Sequence, residues 1–255
     1  MTEKAIQNIY NNLLSWEGKR ALKPYPIHKI LNAEDFGYFD IYEWIANTYK
    51  LDSNAQVLDA GCGVGYGSLY LSKHYNCQVR GISLSDAEVE KASEFATKEN
   101  LDDKVSFKQQ SFDDLEANSY DFIMAIESVK HTLDIDKTLI SLQNALKPNG
   151  TLIIVDDFLI NENNSTLIKK YSKDWALKVI LKHDQFTPDF QIKKDLTSFV
   201  STKSQLLISL GTFILTILNP IIKTASIMRG GLYLEKLFKN DIMKYYVLEF
   251  KKTKI

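Results

Sequence analysis

The sequence predicts an α/β fold, a mostly parallel sheet with helices on both faces. Three observations carry this. Short apolar segments alternate with amphipathic ones from residue 55 to residue 156. The apolar segments are nearly continuous, as strands are when both faces of a sheet are covered. Four of the 11 glycines fall within residues 61–67, directly after the first apolar segment, where a ligand-binding strand-to-helix turn belongs.

Residues 1–54 are polar and aromatic, and Pro24 and Pro26 frame an extended segment, since the residue before a proline avoids the helical region. Phe36, Phe39, Ile41, Trp44, Ile45 and Tyr49 recur near helical spacing and predict an amphipathic helix over about 33–50. AQVLDA (55–60) reads as the first strand, 66–75 as a helix and CQVRGIS (77–83) as the second strand. Ser85 is the expected N-cap of a helix running to Asn100, with Glu88 at the capping-box position. KVSFKQ (104–109), YDFIMAI (120–126) and TLIIVD (151–156) are further strands, Leu133 to Leu146 a helix, and KPNG (147–150) a turn. Later, 166–182 reads as helical, FQIKKDLT (190–197) as a strand and MKYYVLEFKK (243–252) as a closing strand.

The stretch 206–222 is apolar and uncharged, and an uncharged segment of that length is expected to bury itself. It is somewhat shorter than the roughly 20 residues that span a bilayer, and Pro220 interrupts it. Three readings are open: a buried helix-turn-helix, a lid over a lipophilic acceptor, or a face resting on a membrane surface.

The chain has 255 residues, with 31 Lys+Arg against 32 Asp+Glu, 45% hydrophobic and 25% charged. These values exclude a disordered, collagenous or disulfide-rich class. Two cysteines, Cys62 and Cys77, and four histidines exclude a zinc finger or ribbon. Balanced charge without a basic stripe gives no nucleic-acid footprint. The start, MTEKAIQNIY, lacks the apolar core of a signal peptide, and a cytoplasmic location is the expectation.

The glycines lie in VLDAGCGVGYG (57–67), with Asp59 before the loop and the spacing Gly61-x-Gly63-x-Gly65. Residues without Cβ let backbone approach a ligand, and the following helix start presents free N–H groups. The last gap is one residue short of the dinucleotide fingerprint G-x-G-x-x-G. The loop resembles the first motif of the class I S-adenosylmethionine (SAM)-dependent methyltransferases. The resemblance continues through GISLSDAEVEKA (81–92), VSFKQQSFDDL (105–115), YDFIMAIESVKH (120–131) and LKPNGTLIIVDDF (146–158), about 100 residues in all. GxxLS at 81–85 is similar to the small-molecule and lipid-modifying branch, with its tocopherol methyltransferase-like and cyclopropane fatty acid synthase-like members.

This resemblance implies a seven-stranded sheet in the order 3-2-1-4-5-7-6, last strand antiparallel. It implies a helical cap over 1–54, a SAM-binding core over 55–160, and a helical insert with closing strands over 161–255. Asp59, Gly61, Cys62, Gly63 and Gly65 would meet the cofactor. Ser83 stands where the family places a ribose-binding acid, and Leu84 follows it. Glu88 either reaches the ribose or only completes the Ser85 cap. Ser111 and Phe112 stand at the adenine position, where the family has Asp and a small residue. Ile126 ends the fourth strand, which sets Glu127, Ser128 and His131 beside the methyl group. His131 is either a general base or a histidine bonded to loop backbone; Glu127 is expected to orient cofactor or acceptor. Lys130 replaces the acid that precedes the histidine in cyclopropane synthases, which argues against cyclopropanation. Neither a metal nor a nucleic acid is expected: no Asn/Asp-Pro-Pro-aromatic run follows the fourth strand.

The acceptor region of the family corresponds here to Tyr10, Trp16, Tyr25, His28, Phe36 and Tyr38 on one side and to Trp175 and 206–222 on the other. The expected function is SAM-dependent methylation of a lipophilic small molecule at O, N or C. The alternatives are SAM-dependent alkyl chemistry on a lipid alkene and a non-catalytic SAM-binding scaffold.

Overall fold

The computed structural model describes Lys4, Gln7, Asn8, Asn11 and residues 31–33, 37–186, 189–201, 203–219 and 225–253, with backbone alone for 31–33 and 37–39. Pro24, Pro26 and the expected acceptor residues Tyr10, Trp16, Tyr25, His28 and Phe36 lie outside the described residues, as does the side chain of Tyr38.

Seven strands form the main sheet: β1 (Gln56–Ala60), β2 (Gln78–Ser83), β3 (Val105–Gln109), β4 (Tyr120–Ile126), β5 (Leu146–Leu159), β6 (Gln191–Asp195) and β7 (Met243–Lys251). Their spatial order is β3-β2-β1-β4-β5-β7-β6. Strands β1 to β5 pair in parallel, and β7 lies antiparallel between β5 and β6. The order reverses between β1 and β4, which opens a crevice at their carboxyl ends.

Alternate residues of the strands feed two cores. Val57, Phe122, Met124, Ile153 and Val155 face one side, under helices α1 (Ile41–Tyr49), α2 (Tyr66–Tyr75), α5 (Ser165–Asp174) and α7 (Ala225–Lys239). Leu58, Ile123, Ala125, Leu152 and Ile154 face the other, under α4 (Ile135–Ala145). Each fully buried large side chain contributes about 1.5–3 kcal/mol. Helix α3 (Asp86–Glu99) adds a third, smaller core against β3 through Phe95 and Ala96.

Four local expectations change. The helix placed over 33–50 starts at Ile41, because Asp40 caps it: its Oδ1 accepts from the N–H of Tyr42 at 2.9 Å and of Glu43 at 3.1 Å. Cap geometry is non-helical, and ahead of it Leu31–Ala33 pairs antiparallel with Gly37–Phe39. The KPNG segment is the irregular start of β5 rather than a separate turn. Asn149 takes φ 65°, its N–H donates to the Lys252 carbonyl, and the Lys252 N–H donates to the Gly150 carbonyl. The helix expected over 166–182 stops at Asp174, where the chain turns left-handed at Ala176 with φ 51°.

The fourth change concerns 206–222. Helix α6 (Gln205–Leu218) packs on α7 as a helical hairpin, yet only Ile208 is buried. Its outer residues stay open: Leu206 is 76% exposed and Phe213 65%. One face satisfies packing on α7; the sheet, already covered by other helices, has no room for the second.

Candidate active site

The loop after β1 builds a cradle. Gly61, Gly63 and Gly65 take φ of 90°, 52° and 82°, a region that side chains disfavour. A Cβ on Gly61 would lie 2.3 Å from Cβ of Ser128, which donates its hydroxyl to the Ala60 carbonyl at 2.6 Å. Ser128, at the end of β4, thus buttresses the loop. Gly61 and Gly63 keep part of their backbone open, whereas Gly65 is buried against the Phe107 ring. The Phe112 ring tip stands 3.6 Å from where that Gly61 Cβ would be, at the rim of the cradle. Ser111 Oγ accepts from the Asp113 N–H, and the Leu84 carbonyl accepts from Gln109. The buried Cys62 thiol donates to the Gly63 carbonyl, and burial, with Asp59 and Glu88 nearby, pushes its pKa up. It is no nucleophile there.

Two buried carboxylates flank the cradle. Asp59, at the end of β1, accepts from the Ser68 hydroxyl at 2.7 Å; burial pushes its pKa up to about 6 against that hydrogen bond. Glu88 accepts from the Ser83 hydroxyl at 2.6 Å, and burial pushes its pKa up to about 7. Glu88 does not close the capping box: the Ser85 N–H donates to Ser83 Oγ instead, while Ser85 Oγ accepts from the Glu88 N–H. Asn11 accepts from Ser85 and donates to Asp86, which puts its side chain at the rim of the site. Tyr42 packs over Gly67 with its ring edge on Tyr66.

The second feature is a buried ion cluster at the carboxyl ends of β4 and β5. Lys130 Nζ sits 2.9 Å from Asp157, 3.1 Å from Asp156 and 3.3 Å from Glu127. Burial works against its charge, but the three carboxylates outweigh this and raise its pKa. Burial raises that of Asp156, with Lys130 opposing. Tyr171 donates to Asp157 at 3.2 Å and Tyr245 donates to Glu127 at 2.9 Å. Glu127 itself has φ 50°, a strained value for a non-glycine residue at a strand end. The Trp175 ring lies 5.8 Å from Lys130 Nζ and 6.3 Å from the half-buried His131 ring. Helix α7 supports Trp175: a Cβ on Gly230 would lie 2.6 Å from its ring, and Arg229 pairs with Asp174 at 2.6 Å.

The structure therefore brings together Asp59, Gly61, Cys62, Gly63, Ser83 and Glu88 on one side, and Glu127, Ser128 and His131 on the other. Sequence reasoning missed Asp156, Asp157, Tyr171 and Tyr245. The signal for the first two was the acid pair closing the apolar run TLIIVDD; for the tyrosines there was none.

A family profile described as "Methyltransferase domain" matches residues 51–203, more than half of the chain. The chain belongs to this methyltransferase domain family. Similar curated proteins include the sterol 24-C-methyltransferase of Debaryomyces hansenii, 34% identical over 109 residues, 42% of this chain and 29% of that protein. Another is the S-adenosyl-L-methionine-dependent Diels-Alderase of Talaromyces variabilis, 34% identical over 137 residues, 52% of this chain and 44% of that protein. The chain thus spans less than half the length of these relatives. Among solved structures, a putative sarcosine dimethylglycine methyltransferase from Galdieria sulphuraria superposes with TM-score 0.75 at 19% identity, over 98% of this chain and 99% of that one. At that identity the likeness establishes the fold.

The cofactor of this methyltransferase family is SAM, and the donor set of the cradle fits it. A sulfonium amino acid joined to a nucleoside brings an ammonium and two ribose hydroxyls. The methyltransferase domain offers two buried carboxylates, Asp59 and Glu88, whose pKa values burial raises and which a cationic or hydroxyl-bearing ligand would favour in the ionised form.

Proposed function

We propose that this methyltransferase domain methylates a lipophilic small molecule, at a carbon or nitrogen that gains positive charge as it is methylated. Bound SAM supplies an electrophilic methyl group on a positively charged sulfur. Glu88 accepts the ribose hydroxyls, Asp59 and the backbone of Gly61 to Gly63 hold the amino-acid part, and Phe112 with Ser111 borders the adenine. Asn11, held by Ser85 and Asp86, adds a polar side chain at the rim of the cradle.

The observation that carries the acceptor reading is the ion cluster. Three carboxylates surround one ammonium, so the edge carries an excess of negative charge in a place that water barely reaches. Fixed charge of that sign stabilises a cation developing on the acceptor. The aromatic rings of Trp175, Tyr171 and Tyr245 give the same edge an apolar body with polar tips. Lys130, held in its charged form, is no base. Glu127 is tied to Lys130 and Tyr245 and orients rather than transfers a proton. His131, beside Trp175, takes the proton that an alkene carbon acceptor gives up after methylation; a tertiary amine releases none and leaves as the quaternary ammonium. The similarity to sterol 24-C-methyltransferases and a probable tocopherol O-methyltransferase supports a lipophilic acceptor, and the former supports methylation at carbon.

The test is incubation with SAM and a panel of isoprenoid alkenes, lipophilic tertiary amines and phenols, followed by quantification of S-adenosylhomocysteine and methylated product. Turnover of alkenes or amines above phenols is expected. Turnover confined to phenols overturns the acceptor reading. Rearranged product without S-adenosylhomocysteine favours a SAM-dependent cyclase, the reading that similarity to the Diels-Alderase of Talaromyces variabilis makes the natural second one.

A further inference from the structure

We infer that the α6–α7 hairpin docks the protein on an anionic lipid bilayer, with α6 lying flat in the interface. Leu206, Leu207, Leu210, Phe213, Ile214 and Ile217 are 76, 59, 52, 65, 43 and 58% exposed. At 100° per residue they occupy an arc of roughly 120°, one continuous stripe along a helix about 21 Å long. An apolar stripe of this size on a folded chain marks an interaction surface.

Charge selects lipid as the occupant. Helices α5, α6 and α7, which pack together, carry Lys169, Lys170, Lys173, Arg229, Lys236 and Lys239 against Asp174 and Glu235. Both acids are buried and ion-paired, to Arg229 and Lys203, within a chain whose overall net charge is −1. The hairpin, with α5 packed against α7, is thus the basic part of a nearly neutral molecule, as binding to anionic headgroups requires. No described helix is long and apolar enough to cross a membrane, so insertion stops at the interface.

The test is flotation of the full chain, without SAM or acceptor, with vesicles of phosphatidylcholine alone and of phosphatidylcholine with about one-third phosphatidylglycerol. Wild type is expected to float with the anionic vesicles and less with the neutral ones. Leu210→Glu and Phe213→Glu should each lower the bound fraction at least about fivefold, with SAM affinity unchanged as the check on folding. Sedimentation velocity covers the other occupant. A wild-type dimer that both variants make monomeric, with no vesicle binding, overturns the inference in favour of self-association. Vesicle binding equal in wild type and variants overturns it as well. Since no methyl transfer is read, its failure is distinct from failure of the proposed chemistry.

Discussion

Replacing Glu88 by glutamine separates cofactor binding from folding. In the ligand-free protein burial raises its pKa from 4.5 to about 7. The folded chain therefore binds a proton that the unfolded chain releases between those values. Stability from this group is greatest below about pH 4.5 and declines as pH rises through 7. At about 1.4 kcal/mol per pKa unit, the ionised carboxylate costs the ligand-free fold roughly 3 kcal/mol at pH 8. Glutamine keeps an acceptor for the Ser83 hydroxyl, and the Ser85 cap is untouched because it uses the Glu88 backbone N–H. By calorimetry, ligand-free Glu88→Gln should melt higher than wild type at pH 8 and alike near pH 4.5. Titration with SAM should show the opposite: loss of charge-assisted bonds to the ribose costs about 1.5–3 kcal/mol, a tenfold to hundredfold weaker Kd. Wild-type SAM affinity should also rise from pH 6 to pH 8, and the variant should keep only the smaller part of that dependence that comes from Asp59. Unchanged SAM affinity together with lower stability at pH 8 would refute the reasoning and leave Glu88 a folding residue.

Lys130→Met leaves Glu127, Asp156 and Asp157 buried without their cation and should destabilise by about 3–5 kcal/mol at pH 8. The loss should shrink at pH 5 as the carboxylates take up protons; an equal loss at both pH values by denaturant titration counts against the charge argument. Gly61→Ala drives a methyl into Ser128 and should cost about 1–3 kcal/mol, part of which Ser128→Gly should restore; additivity in that double-mutant cycle would show that the two do not touch. Gly63→Val, with φ 52° at that position, should abolish SAM binding while the circular dichroism of the fold persists. SAM binding to a folded Gly63→Val protein at wild-type affinity would remove the cradle from the cofactor site.

The sequence by itself determined the central strands, the glycine loop and the place of Asp59 before it, because each depends on neighbours a few residues apart; the strand order was implied only by the family resemblance. A run such as YDFIMAI announces a buried strand through its own composition, and Ser85 announces a helix start through its own hydroxyl. Only tertiary structure decided the acceptor edge. Tyr245 meets Glu127 across 118 residues, and it does so because β7 runs antiparallel to β5 in a register that sets Tyr245 opposite Asp157. A shift of one residue in that register would send Tyr245 to the other face. Lys130, which in the sequence marked only a departure from a family pattern, becomes the centre of an ion cluster because β4 ends beside Val155 of β5, next to Asp156 and Asp157. The segment 206–222 shows the converse. Its composition calls for burial, but how much apolar surface finds a partner depends on how much sheet is left to cover, and α1, α2, α5 and α7 had already taken that face.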